Sequence, residues 1–274
     1  MRDPARRWAA ALRAWGIPDR ILAQAPEPPW GFPSESFRRR TEQAVSAGPT
    51  LTTRRALEAL PDRGAVLDVG VGAGAASLPF APRAARIVGV DASEDLLAAF
   101  RTAAEGIDVS VETVSGRWPD VAGQVGVADV AVCAHVLYNV QDVEPFVRAL
   151  DEHVRRRVVV EITGSHPLAW MNPLWLRFHR LHRPEAPTAG DALAVLRQLG
   201  IDATIEREAR RSRGGFERRE DAVAVVRKRL CLPADRDPEV AEALGPLLRR
   251  RDGLWSAGPP EQDIATLWWD RPER

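Results

Sequence analysis

At 274 residues and 45% hydrophobic side chains, the chain can bury one substantial core with room for additions. Its 38 basic and 38 acidic residues cancel, which argues against nucleic acid or a membrane surface as a partner. Cys133 and Cys231 are far apart without metal-ligand spacing, and no segment reads as a signal peptide or membrane span, so a reduced cytoplasmic protein with no metal site is expected.

Residues 1–60 read as a helical, proline-rich cover ahead of a domain over 61–274. Trp8, Leu12 and Trp15 recur at helical spacing, and a second helix restarts over 17–22. Pro26, Pro28, Pro29 and Pro33 forbid continuous helix or strand, leaving Trp30 and Phe32 as anchors of an extended segment. Amphipathic patterns predict two more helices, over 34–47 and 50–60.

From there strands and helices alternate, the pattern of a parallel sheet covered on both faces. Strands are expected at 66–69, 87–90, 109–114, 128–134, 157–162, 203–208 and 263–269, with helices at 94–102, 143–153 and 191–199. Helices over 221–230 and 238–250 would form an insertion at about 214–255.

The most informative stretch runs Val66-Leu67-Asp68-Val69-Gly70-Val71-Gly72-Ala73-Gly74. It reads as a buried strand, a glycine turn and a helix start at Ala75-Ala76-Ser77-Leu78. Backbone without Cβ atoms can approach a ligand closely, and a following helix would offer unpaired N–H groups. Gly70, Gly72 and Ala75 also fit the dinucleotide pattern G-x-G-x-x-A, so an NAD enzyme is one alternative. Asp91 closes the next strand about 20 residues on, where a carboxylate accepts from the ribose hydroxyls of an adenosine cofactor.

Written as D-x-G-x-G-x-G from Asp68, the loop resembles motif I of the class I S-adenosylmethionine (SAM) dependent methyltransferases. Residues 128–140, Ala-Asp-Val-Ala-Val-Cys-Ala-His-Val-Leu-Tyr-Asn-Val, resemble motif IV of the small-molecule type. The long N-terminal extension with its Pro-Trp pair is similar to that of actinobacterial members. The resemblance implies a Rossmann-like, doubly wound seven-stranded sheet whose last strand is antiparallel. It implies SAM as cofactor, held by Asp68, Gly70, Val71, Gly72, Asp91, Ala92, Gly116, Arg117, Trp118 and Ala134. The acidic residue that usually meets the adenine amino group is missing from Ser115-Gly116-Arg117-Trp118-Pro119-Asp120, so Trp118 or Arg117 is expected to stack on or flank the adenine.

Methyl transfer from a sulfonium mainly requires alignment in a dry site, and an oxygen or nitrogen nucleophile must also lose a proton. Histidine suits that task, and His135 at the end of the fourth strand is the candidate base. Tyr138, Asn139, His166 and Trp170 are candidates for the wall of the acceptor pocket, with Trp170 in an aromatic, proline-rich loop. Arg207, Arg210, Arg211, Arg213, Arg218 and Arg219 are interleaved with glutamates and read as a solvated loop rather than an RNA-binding patch. The expected activity is methyl transfer to a small molecule. An RNA or protein methyltransferase and a non-catalytic SAM-binding protein are the alternatives.

Overall fold

The computed structural model describes residues 3–30, 41–212 and 215–271. Seven strands form one sheet in the order β3-β2-β1-β4-β5-β9-β6. They are β1 (Gly64–Val69), β2 (Ala84–Asp91), β3 (Ser110–Ser115), β4 (Ala128–Ala134), β5 (Val154–Thr163), β6 (Thr204–Arg211) and β9 (Glu261–Asp270). The first five run parallel, and β9 lies antiparallel between β5 and β6. This is the doubly wound sheet with an antiparallel last strand that the sequence implied.

Alternation along the central strands builds two cores, one on each face. Leu67, Val69, Val88, Ala131 and Val158 pack with Phe146 and Leu150 on one side. Val66, Ile87, Val130, Val132 and Val159 pack with Phe80, Leu97 and Phe100 on the other. The N-terminal helix Pro4–Ala14 is built into the first core. Trp8 is fully buried and donates its indole N–H to the Val140 carbonyl at 2.8 Å.

Three expectations need correction. No α-helix follows the glycine loop; the chain makes turns and a single 3₁₀ turn, Leu78–Phe80. Pro79 and Pro82 remove donors and clash with preceding carbonyls, so a helix cannot propagate there. The helix expected over 238–250 is Asp237–Leu244, stopped at Gly245-Pro246. A hairpin of β7 (Leu248–Arg251) and β8 (Leu254–Ala257) follows. Its two-residue loop, Asp252-Gly253, has both φ angles positive (49° and 81°), the hairpin geometry that an Asp-Gly pair favours. Finally, the aromatic loop after β5 contains a helix, Asn172–His179.

Residues 41–46 are helical as expected, whereas 34–40, Phe32, Arg213 and Gly214 lie outside the described residues. Trp30 is no anchor, being 57% exposed. Among the described residues no helix is long and apolar enough to cross a membrane.

Candidate functional site

The parallel strands end together at one edge of the sheet, where β1 and β4 send their chains to opposite faces. A cavity of about 1660 Å³ opens there, larger than the roughly 300–1,000 Å³ usual for one ligand. Gly70, Gly72, Asp91, Ala92, Gly116, Arg117, Trp118, Ala134, His135, Tyr138, Asn139, His166 and Trp170 all line it. Asp68 and Val71 do not; both are buried behind the loop. The N-terminal segment contributes wall residues too, including Trp15, Trp30, Val45 and Thr52.

The glycine loop is fixed from below and from the side. The N–H groups of Gly70 and Val71 donate to the Val90 carbonyl at 2.8 and 3.1 Å. Gly70 has φ +76°, and a Cβ there would lie 2.2 Å from Val136 Cγ2, so motif IV packs directly on the turn. Asp91 closes the corner: its two carboxylate oxygens accept from the N–H groups of Gly72 and Ser93, each at 2.9 Å. Thr41 in the N-terminal segment donates its hydroxyl to the Ala73 carbonyl at 3.0 Å.

Trp118 is largely withdrawn into the core, where its indole N–H donates to the Phe146 carbonyl at 3.1 Å. Arg117 is exposed. Tyr138 spends its hydroxyl on the Thr163 carbonyl at 2.7 Å, and burial pushes that phenol far up. Tyr138 is therefore a wall and not a proton donor. His166 lies face to face with Trp15 at 3.7 Å between ring centroids and edge-on to Tyr138 at 5.3 Å.

His135 sits in the left-handed region at φ +60°, uncommon for a residue with a Cβ. Its N–H donates to the Glu161 carbonyl at 2.7 Å, and its Nε2 is 3.0 Å from Glu161 Oε1. Glu161 is 5% exposed, at the end of β5. Arg210 grips both its oxygens, at 2.7 and 2.9 Å, and also meets Glu208 at 2.5 Å. Thr52 adds a short hydroxyl hydrogen bond to Oε2 and touches Thr266 at 2.8 Å. Burial alone would raise the Glu161 carboxyl; His135 and Arg210 outweigh it and hold the group far below the usual carboxylate range.

Sequence reading missed Glu161, Thr52 and Arg210. The one available signal was an acid inside the run Val158-Val159-Val160-Glu161-Ile162, since a central strand buries a carboxylate only when it is paired. Arg207, Arg210 and Arg211 belong to β6 rather than to a solvated loop, and Arg207 pairs with Asp263 at 2.5 Å.

Residues 66–157 match the family described as a methyltransferase domain. That match and the strand order support a class I SAM-dependent methyltransferase. This methyltransferase is 26% identical over 215 residues to the ubiquinone biosynthesis O-methyltransferase of Rhizobium rhizogenes, spanning 67% of this chain and 84% of that protein. In fold it is similar to a putative methyltransferase from Bacillus halodurans (TM-score 0.52, 16% identity, 81% of this chain and 97% of the other). It is likewise similar to a cyclopropane-fatty-acyl-phospholipid synthase-like protein from Lactobacillus casei (TM-score 0.53, 16% identity, 91% and 97%).

The cofactor is SAM, and the residues present fit it. No α-helix follows the glycine loop directly, so the macrodipole that favours a pyrophosphate is lacking there. Beneath the loop, neither oxygen of the fully buried Asp68 has a hydrogen-bond partner among the described residues. An orphaned acid at that place suits a cationic group or a bridging water above it.

Two titratable groups of the methyltransferase bias its stability in opposite directions. Burial, with a lesser contribution from Arg183, holds His166 down to about 4, against about 6.5 when unfolded. Between those values only the unfolded chain takes the proton, so this group costs stability as pH falls from about 6.5 to about 4. Burial raises Asp68 to about 7, opposed by the nearby Ser77 hydroxyl and assisted by the Asp91 charge. Here the folded chain takes the proton first, so stability falls as pH climbs from about 4 to about 7. Each term is at most about 3–4 kcal/mol, and they offset. Relative to wild type, Asp68→Asn should give stability that rises from about pH 4 to 6.5, and His166→Gln stability that falls. Urea midpoints across that range check both slopes; parallel curves for all three proteins would show that neither group titrates this way.

Proposed function

We propose that this methyltransferase methylates an oxygen or nitrogen nucleophile of a small molecule, with His135 as general base. The observation that carries this is the His135–Glu161 contact. With Nε2 turned to Glu161 at 3.0 Å, Nδ1 is left for the acceptor on the cavity wall. A neutral imidazole so oriented takes the proton at Nδ1 while Nε2–H stays bonded to the carboxylate. When bound, SAM supplies an electrophilic methyl on a sulfonium. The chain aligns the acceptor, keeps water out and removes one proton.

Asp91, Gly70, Gly72 and Gly116 would form the cofactor half of the cavity, with Arg117 and Trp118 beside the adenine. Each Asp91 oxygen, after one backbone donor, keeps lone-pair capacity for a ribose hydroxyl. Residues 1–60 would act as a cover over the crevice, supported by the Thr41–Ala73 bond and by the wall residues they supply. A small acceptor is supported by the relative's printed name. It is also supported by the pairing of Arg207 and Arg210 with carboxylates, which leaves no phosphate-seeking stripe there.

Asp91→Ala is expected to weaken SAM binding by about 1.5–3 kcal/mol, the scale of hydrogen bonds lost to a charged group. Titration calorimetry on a variant with native melting behaviour measures it. Wild-type affinity in that variant would remove Asp91 from the ribose site. The reaction itself is tested by incubating the full chain with labelled SAM and a metabolite pool. Label entering only RNA or protein would sink the small-molecule reading.

A further inference from the structure

Among the described residues, Arg183 on the cavity wall has no counter-charge. Arg183 is half-buried, and among the described residues no carboxylate lies within ion-pair distance of it. Its guanidinium lies over the rings of Trp15 and Trp175, at 5.0 and 4.8 Å from their centroids. Nη1 donates to the Gly16 carbonyl at 3.2 Å and Nη2 to the Trp15 carbonyl. Nε is buried with no acceptor among the described residues.

These contacts account for two of five N–H groups, leaving each terminal nitrogen a second donor. The carbonyls cap the N-terminal helix, and the two indoles offset part of the desolvation cost. Neither neutralises the charge. Arg210, on the same cavity wall, contrasts with it, being paired to Glu161. An unpaired guanidinium in a dry aromatic wall is costly to keep, and desolvation duly lowers its proton affinity.

The surroundings define what the charge can meet. Trp15, Met171, Trp170, Trp175 and Tyr138 make this part of the wall apolar and aromatic. His166, stacked on Trp15, accepts the Leu168 N–H at Nδ1 (3.3 Å), so its neutral form carries a proton at Nε2 and adds a donor. The cavity is also larger than one ligand needs.

We infer that Arg183 is the anchor of an acceptor subsite that selects aromatic or apolar molecules bearing an anionic group, a carboxylate or a phosphate. This rests on the small-molecule reading above and deepens it. A carboxylate or phosphate would take the free Nη donors of Arg183 in a charge-assisted pair, while the rest of the molecule lies against the apolar wall. An uncharged analogue would leave the guanidinium unpaired in the wall and bind more weakly.

The test uses the full chain saturated with S-adenosylhomocysteine and three ring-matched probes: 3,4-dihydroxybenzoate, 3,4-dihydroxybenzamide and 3,4-dihydroxyphenyl phosphate. Binding is followed by calorimetry, and methyl transfer is assayed separately with labelled SAM. An acid probe is expected to bind about tenfold or more tighter than the amide. Whether the carboxylate or the phosphate gains more identifies the group recognised. Arg183→Met should erase the preference by weakening acid binding alone, and Arg183→Lys should restore part of it. Equal binding of acids and amide by wild type, no binding of either acid, or an unchanged preference in Arg183→Met overturns the inference. Should Arg183→Met unfold through loss of its carbonyl bonds, the wild-type comparison still decides. Acid-selective binding without methyl transfer to any probe keeps the subsite and counts against the small-molecule reaction. Transfer to the amide as readily as to the acids does the reverse.

Discussion

Replacing His135 with alanine is expected to slow methyl transfer by about 10²–10⁴-fold while SAM affinity stays near wild type. The imidazole is held at three points: a left-handed backbone, an N–H bonded to the Glu161 carbonyl, and Nε2 bonded to the Glu161 carboxylate. A side chain so constrained loses little entropy on meeting the acceptor, which is the condition for efficient proton removal. A loss below about tenfold would mean that alignment alone accelerates the reaction. Weakened SAM binding would instead place His135 against the cofactor. Glu161→Gln separates positioning from packing: kcat should fall with KM nearly constant, because the amide holds the ring without stabilising the imidazolium.

Arg210→Met is expected to cost about 3–5 kcal/mol of folding stability near pH 8. The variant strips a two-pronged partner from Glu161, a carboxylate that remains 5% exposed. His135 and Thr52 stay in contact but do not replace a full positive charge. Without Arg210, the Glu161 carboxyl should rise from its depressed value, because one of the two groups that oppose burial is gone. The penalty is then fully present above the raised folded value and shrinks as pH falls through it, since protonation discharges the buried group. Adding Glu161→Gln to Arg210→Met should recover most of the loss, and a double-mutant cycle by urea denaturation measures the coupling. Strict additivity of the two substitutions would show that they do not share a charge pair.

The parallel strands and the glycine turn were legible because each is local. Apolar alternation marks β1, β2 and β4, and Asp68, Gly70, Gly72 and Gly74 announce the turn within nine residues. Two local signals were nonetheless overridden. Pro79 and Pro82 forbade the helix that the glycine pattern suggested, and Asp252-Gly253 specified a hairpin whose first strand takes the end of the run expected to be helical. The network around the base was illegible for a different reason. Glu161 joins residues 109 positions before it and 49 after it, and no window of sequence contains such a set. Trp15 and Trp8 read as the apolar stripe of a helix, yet the partners that define their roles, Ala186 and Val140, lie 171 and 132 residues away.

The insertion of β9 between β5 and β6 imposes an order of assembly on a chain made from one end. The backbone of β6 pairs with the sheet only through β9, so after residue 211 emerges it has no strand to pair with until residues 261–270 follow. At about 5–20 residues per second, that interval lasts several seconds on the ribosome. In that interval the half-sheet with the glycine turn can close, since β1, β2, β3 and β4 pair among themselves. Arg210 meanwhile remains outside, and Glu161 has no guanidinium to receive it. A nascent chain can thus close its glycine turn before Glu161 is paired, and the strand that docks late is the one that completes the charge network holding His135.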